Sequence, residues 1–254
     1  MDLDPRTSSP IGRIRPALPT WPLTVAAAQD LSPNIRRLEL LAESPMPWRP
    51  GQDLVLEIPQ GEAEPARRHY TIRHLSLSGT ELAIDVVRHN RGGPGERWAE
   101  RARPGDRLLA HGPRGRTALA EDADWHLFVG DETALPAIFA MLEHLPRRAR
   151  ALAIIEVGDP ADRQYLDADC DLDLEWQVRR GPVAAASLGL IQRLALFAPR
   201  PGHGHAYVLG ETATVRTIRQ GLLARGLAKD QITAEGYWRP GRLGGHDHIR
   251  DDLA

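Results

Sequence analysis

The chain of 254 residues is poor in the residue types that commit a protein to several common tasks. It has one cysteine, Cys170, so no internal disulfide can form, which fits a reducing compartment. Cys170 stands among Asp167, Asp169, Asp171 and Asp173, a setting that disfavours a thiolate nucleophile. Lys229 is the only lysine, and arginine carries almost all the positive charge. The formal net charge of −2 gives no reason to expect a nucleic-acid partner. No apolar run is long enough to span a bilayer, and the N-terminal stretch has no secretory h-region. A cytoplasmic, monomeric protein without membrane insertion is expected. Gly-x-Ser-x-Gly and Walker patterns are absent. His203, His205, His246 and His248 occur as two His-x-His pairs without nearby cysteines, which is not the spacing of a closed metal site, so no metal site is expected.

What is present falls into two rhythms. Residues 1–20 read as an irregular arm rich in Pro, Arg and Ser. Six short strand patterns follow, at Leu23–Ala28, Ile35–Leu41, Asp53–Ile58, Arg67–Arg73, Glu81–Arg88 and Arg107–Ala110, with Gly, Pro, Asn and Asp between them. Glu96–Ala102 reads as a short helix before the sixth. This predicts an antiparallel six-stranded β-barrel over residues 21–118. From residue 119 to 254, apolar strand patterns alternate with helical ones (Ala134–Leu145, Asp162–Leu166, Ser187–Phe197, Ala213–Arg225), which predicts a parallel α/β nucleotide-binding domain.

Three blocks could carry chemistry. In Gly130-Asp131-Glu132-Thr133-Ala134-Leu135-Pro136 a tight turn joins a strand to a helix, where free N–H groups face a ligand; Gly210-Glu211-Thr212 repeats that corner. On the fourth strand Arg68 and Tyr70 share one face and Thr71 takes the other, so a guanidinium and a phenol could clamp a phosphate and stack on a flat ring. Gly92-Gly93-Pro94-Gly95 follows His89 and opens the short helix, which suits close approach to an anion. An ordinary strand, turn or helix cap is the alternative in each case. Gly236-Tyr237-Trp238 follows the last strand and could cover a ring or close a core.

Taken in order, these blocks resemble the siderophore-interacting proteins, flavin-dependent ferric-siderophore reductases of the ferredoxin-reductase-like superfamily. The matching pieces are Leu31–Arg37, Arg68–Arg73, Gly93–Ala99, Pro104–Asp106, Gly112–Gly115, Gly130–Pro136, Trp176–Arg179, Gly210-Glu211 and Gly236–Arg239. The resemblance implies FAD on the barrel, with Arg68, Tyr70, Thr71, Ile72, Arg73, His89, Gly92, Gly93, Pro94, Gly95 and Trp98 around it and Tyr70 and Thr71 closest to the flavin. It implies NADPH, or NADH, as donor on the second domain, near Gly130, Asp131, Glu132, Thr133, Ala134, Pro136, Arg179, Gly210, Glu211, Tyr237 and Trp238. The implied substrate is a ferric siderophore, for which Arg49, Arg114, Arg116, Arg239 and Arg242 could form a basic cleft. The wider superfamily adds alternatives: an electron transferase exchanging with a ferredoxin or flavodoxin, or a non-catalytic flavin or siderophore binder. Where the family turn commonly reads Gly-Pro-Ala-Ser, this chain has Gly93-Pro94-Gly95-Glu96, which sets a carboxylate beside the phosphate cradle.

Overall fold

A computed structural model describes residues 18–89, 92–180, 186–241 and 247–249. Asn90, Arg91, Arg242, His246 and most of the N-terminal arm therefore lie outside the described residues.

The first sheet comprises β1 (Thr20–Ser32), β2 (Ile35–Ala42), β3 (Asp53–Gln60), β4 (Ala63–Thr71), β5 (His74–Leu75), β6 (Glu81–Val87) and β7 (Arg107–Arg114), all antiparallel in the order β4-β3-β7-β1-β2-β6-β5. It has seven strands where six were expected, because the fourth pattern bends after Thr71. Up to that point it pairs with β3; beyond it, Arg73 N–H donates to Ala83 O (2.9 Å) and β5 pairs with β6. The bend curls the sheet on itself. Alternate residues fill its interior, among them Leu23, Leu38, Leu54, Leu56, Ile58, Ile72 and Ile84. Helix α1 (Pro94–Arg101) packs on that interior through Ala99.

The second sheet runs β10 (Asp171–Val178), β9 (Arg150–Val157), β8 (Trp125–Gly130), β11 (Gly204–Glu211), β12 (Ile232–Trp238), with β13 (Asp247–His248) antiparallel at the edge and the others parallel. Strand β8 shows why both faces are covered. Phe128 belongs to the core on one side and Leu127 and Val129 to the core on the other. Helix α2 (Leu135–Leu142) lies on the Phe128 side. Helices α3 (Leu188–Ala195) and α4 (Thr212–Ala224) lie on the other. All eight residues of α2 are buried, as befits a helix apolar on every side. The helix expected at Asp162–Leu166 is only a 3₁₀ turn, Pro160–Asp162, capped by Asp159.

The sheets are joined by polar clasps as well as apolar contact. Asp162, 1 % exposed, accepts hydrogen bonds from Ser32 Oγ (2.5 Å) and Asn34 Nδ2 (2.9 Å) in the β1–β2 turn. Arg73 donates to both Glu143 oxygens at 2.5 and 2.6 Å and lies over the Phe139 ring of α2. Ile35 of the barrel joins the core beneath the second sheet.

Candidate cofactor and electron-transfer site

Strand order reverses between β8 and β11, so this is the switch point at which open α/β sheets bind ligands beyond their carboxyl ends. Both predicted corners lie there. Gly130 ends β8 and Gly210 precedes the end of β11, and each is a position where only glycine fits. A Cβ on Gly130 would fall 2.6 Å from Ala134 Cβ and 2.8 Å from Leu209 O. On Gly210, at φ +127°, it would meet Asp131 Oδ2 at 2.6 Å.

Asp131 fastens this corner. Its Oδ1 accepts from Thr133 N–H (2.9 Å) and Thr133 Oγ1, and its Oδ2 from Glu211 N–H (2.8 Å) and Trp238 Nε1 (2.9 Å). Burial, with Glu132 alongside, pushes the Asp131 carboxyl up to about 6. Glu211 turns inward to cap α4, accepting from Ala213 and Thr214 N–H. Ala134 and Pro136 are buried at the start of α2.

Arg179, expected to meet a donor phosphate, is engaged otherwise. Its guanidinium forks onto Glu132 (2.8 and 2.6 Å) and donates to Glu156 (2.8 Å), which in turn accepts from Ser187 Oγ. Two carboxylates outnumber this cation, so Arg179 itself does not present a free positive charge there. Glu132 serves the same network.

On the barrel side, Arg68 and Tyr70 do share a face and meet α1. A Cβ on Gly95 would fall 2.0 Å from Tyr70 Oη and 3.5 Å from Arg68 Cγ, so the phenol lies directly against the first turn of the helix. Gly93 caps α1 without a side-chain hydrogen bond, and Pro94 follows. Burial pushes the Tyr70 phenol up, so it stays protonated at neutral pH. Glu96 is turned back onto the N–H of Gly92 (3.1 Å) instead of projecting freely, and Arg97 donates to Gly92 O. These residues fit the diphosphate of FAD: a glycine lets the backbone come close, a helix N-terminus offers donors, and Arg68 supplies charge. Arg73 is not part of this cradle, being bound to Glu143 across the domain boundary. Ile72 is fully buried in the barrel core, and Trp98 packs against that core.

The two sides meet through aromatic residues. Thr71 shares a hydrogen bond with the buried Tyr237 phenol, whose titration burial pushes up. His89, at the end of the β6 segment, faces Trp238 with ring centroids 5.8 Å apart. Thus Thr71, His89, Tyr237 and Trp238 come together at the seam, Tyr70 lies against α1, and Arg73, Trp98 and Arg179 serve packing or ion pairs. Sequence reasoning missed Asp162 and Glu143, the partners that hold the seam. Each lies far along the chain from what it binds, and no local pattern marks it.

Residues 41–117 match the siderophore-interacting FAD-binding domain and residues 123–241 the siderophore-interacting protein domain. The ferric vibriobactin reductase ViuB of Vibrio cholerae is 36% identical over 184 residues, covering 71% of this chain and 67% of that protein. The NADPH-dependent ferric-chelate reductase of Escherichia coli is 31% identical over 183 residues, covering 71% and 68%. The structure of a siderophore utilization protein from T. fusca superposes with a TM-score of 0.83 at 31% identity, covering 91% of this chain and 97% of that one. With both of its domains matched in order and relatives at this identity, the chain belongs to the siderophore-interacting protein family.

Proposed function

We propose that this chain is an FAD-dependent ferric-siderophore reductase that takes hydride from NADPH, or NADH, and passes electrons singly to Fe(III) held by a siderophore. The observation that carries the reading is the pair of contacts, Thr71 with Tyr237 and His89 with Trp238, that join the strands bearing the Arg68–Tyr70 face to the Asp131–Trp238 corner. In this reading residues 21–118 form the flavin-binding unit and residues 119–254 the nicotinamide-binding unit. FAD, when bound, supplies the conversion between two-electron hydride chemistry and one-electron transfer.

The chain's own residues bind, orient and shield. Arg68 and the Gly92–Gly95 turn hold the diphosphate. Tyr70 packs on the flavin, and Thr71, already paired with Tyr237, is the candidate hydrogen-bond partner. His89 and Trp238 close the seam against water. Asp131 keeps Trp238 in place and fixes the backbone from Gly130 to Thr133 against Gly210 and Glu211. The NADPH dependence in the name of the E. coli relative supports the phosphorylated donor. The ferric siderophore is a substrate, so the protein need not ligate iron. Hard oxygen chelators favour Fe(III) over Fe(II), and reduction thereby loosens the metal.

The test is an anaerobic visible spectrum of FAD-loaded protein, first with NADPH and then with a ferric siderophore in the presence of an Fe(II) chelator. Bleaching followed by recovery, with Fe(II) trapped, is expected. Flavin that bleaches with neither NADPH nor NADH would refute the donor assignment and point to a ferredoxin or to a binding role.

A further inference from the structure

At the opposite end of β8 from the switch-point corner lies a cavity of about 800 Å³ that the reductase reading does not use. His126 lines it and Asp131 marks the other end of the strand; five residues of extended chain separate them by roughly 16 Å. Three segments enclose it: the barrel loop at Arg49-Pro50, the connector Ala118–Asp124, and the turn His144–Ala149 after α2. Its size is that of a small-molecule pocket.

The lining combines three kinds of surface. Leu119, Ala120, Leu145 and Ala149 form apolar walls. His126, 3 % exposed, has a buried Nδ1 with no hydrogen-bond partner, and burial lowers the ring to about 4, so it is neutral at physiological pH. Arg49 and Arg148 also line the cavity, both exposed, and neither takes part in an ion pair among the described residues. Three carboxylates also border the space. Asp124 accepts from His203 N–H at 2.8 Å and Asp122 lies 3.8 Å from His203 Nδ1, so two of them are turned to another loop, leaving Glu121.

We propose that this cavity is a second ligand site, separate from the flavin seam, for a small aromatic carboxylate. The guanidiniums of Arg49 and Arg148 would take the carboxylate. The apolar walls would take the ring, and His126 a polar ring substituent. Arg49 thereby leaves the set of arginines expected around the siderophore. The site borders both domains and begins one residue after Glu143, the partner of Arg73, so an occupant would bridge the barrel and the sheet.

Calorimetric titration of FAD-saturated protein with 3-hydroxy-2-naphthoate, and with its uncharged methyl ester, tests this. One acid molecule per chain is expected, with the ester at least about tenfold weaker, a difference of about 1.4 kcal/mol. The double variant Arg49→Gln/Arg148→Gln alters only exposed side chains and is expected to weaken the acid by a similar factor. Ala123→Trp, which fills the space, should abolish binding, and NADPH should not compete. Absence of binding, equal affinity for acid and ester, indifference to these substitutions, or displacement by NADPH would overturn the proposal. None of these outcomes depends on whether the protein reduces iron.

Discussion

Gly95→Ala offers a sharp test of the cradle, because the structure states what the added methyl would hit. A Cβ at residue 95 falls 2.0 Å from Tyr70 Oη and 3.2 Å from Tyr70 Cζ. The first distance is impossible for real atoms, so the phenol must swing away or α1 must move. Overpacking of this kind costs about 1–3 kcal/mol, against which alanine returns up to about 1 kcal/mol of backbone entropy relative to glycine within a helix. In a chain of this size each kcal/mol shifts Tm by about 2–4 °C, so a loss of several degrees is expected for the flavin-free protein. FAD affinity, followed by flavin fluorescence quenching, should fall in parallel because the clash displaces Tyr70 or the helix turn of the proposed cradle. The second substitution makes the reasoning vulnerable. Tyr70→Phe deletes the oxygen at 2.0 Å and leaves only the tolerable 3.2 Å contact, so Gly95→Ala/Tyr70→Phe should recover most of the lost stability. If Gly95→Ala is as stable as the parent, or if Tyr70→Phe brings no recovery, the helix and the phenol are not packed as described.

Three further outcomes are expected. Arg73→Met leaves Glu143 without its partner at the domain seam; with that carboxylate a quarter exposed, denaturant unfolding should show a loss of about 1–3 kcal/mol, and a loss below about 0.5 kcal/mol would refute the strut. Arg179→Met strands two buried carboxylates and should cost about 3 kcal/mol in the same assay, whereas Arg163→Met at an exposed position should cost under about 0.5 kcal/mol; equal effects would mean that the Glu132–Arg179–Glu156 network does not hold the corner. Because burial raises the folded Asp131 carboxyl from 3.8 to about 6, the folded chain retains a proton that the unfolded chain releases, and this group's contribution to stability falls as pH rises from about 4 to 6. Unfolding free energies of the parent and Asp131→Asn across that range should therefore differ in slope, and parallel curves would refute the shift.

The architecture was legible where local pattern decides it. Short strand patterns set off by Gly, Pro, Asn and Asp marked the barrel strands, and the change to alternating strands and helices after residue 119 marked the parallel sheet. Gly130 and Gly210 were readable as corners because strand–glycine–helix is a local signal, and their meeting at the switch point follows from strand order. What escaped depends on distant partners. Arg68, Arg73 and Arg179 look alike in sequence; Arg68 meets a helix turn, Arg73 finds Glu143 and Arg179 finds Glu132 and Glu156. The bend after Thr71 also escaped, since the pairing exchange from β3 to β6 is decided by closure of the sheet. The 3₁₀ turn at Pro160–Asp162 replaced an expected helix because Asp162 is committed to Ser32 and Asn34.

That last clasp bears on how relatives of this protein can be recombined. A chimaera that joined this barrel to another protein's sheet at the connector would carry Ser32 and Asn34 from one parent and the residue facing them from the other. It would also split Arg73 from Glu143. The loop between β7 and β8 looks like a natural crossover point on the chain, yet the two halves are matched to each other by residues 70 to 130 positions apart, and exchange succeeds only when those pairs travel together.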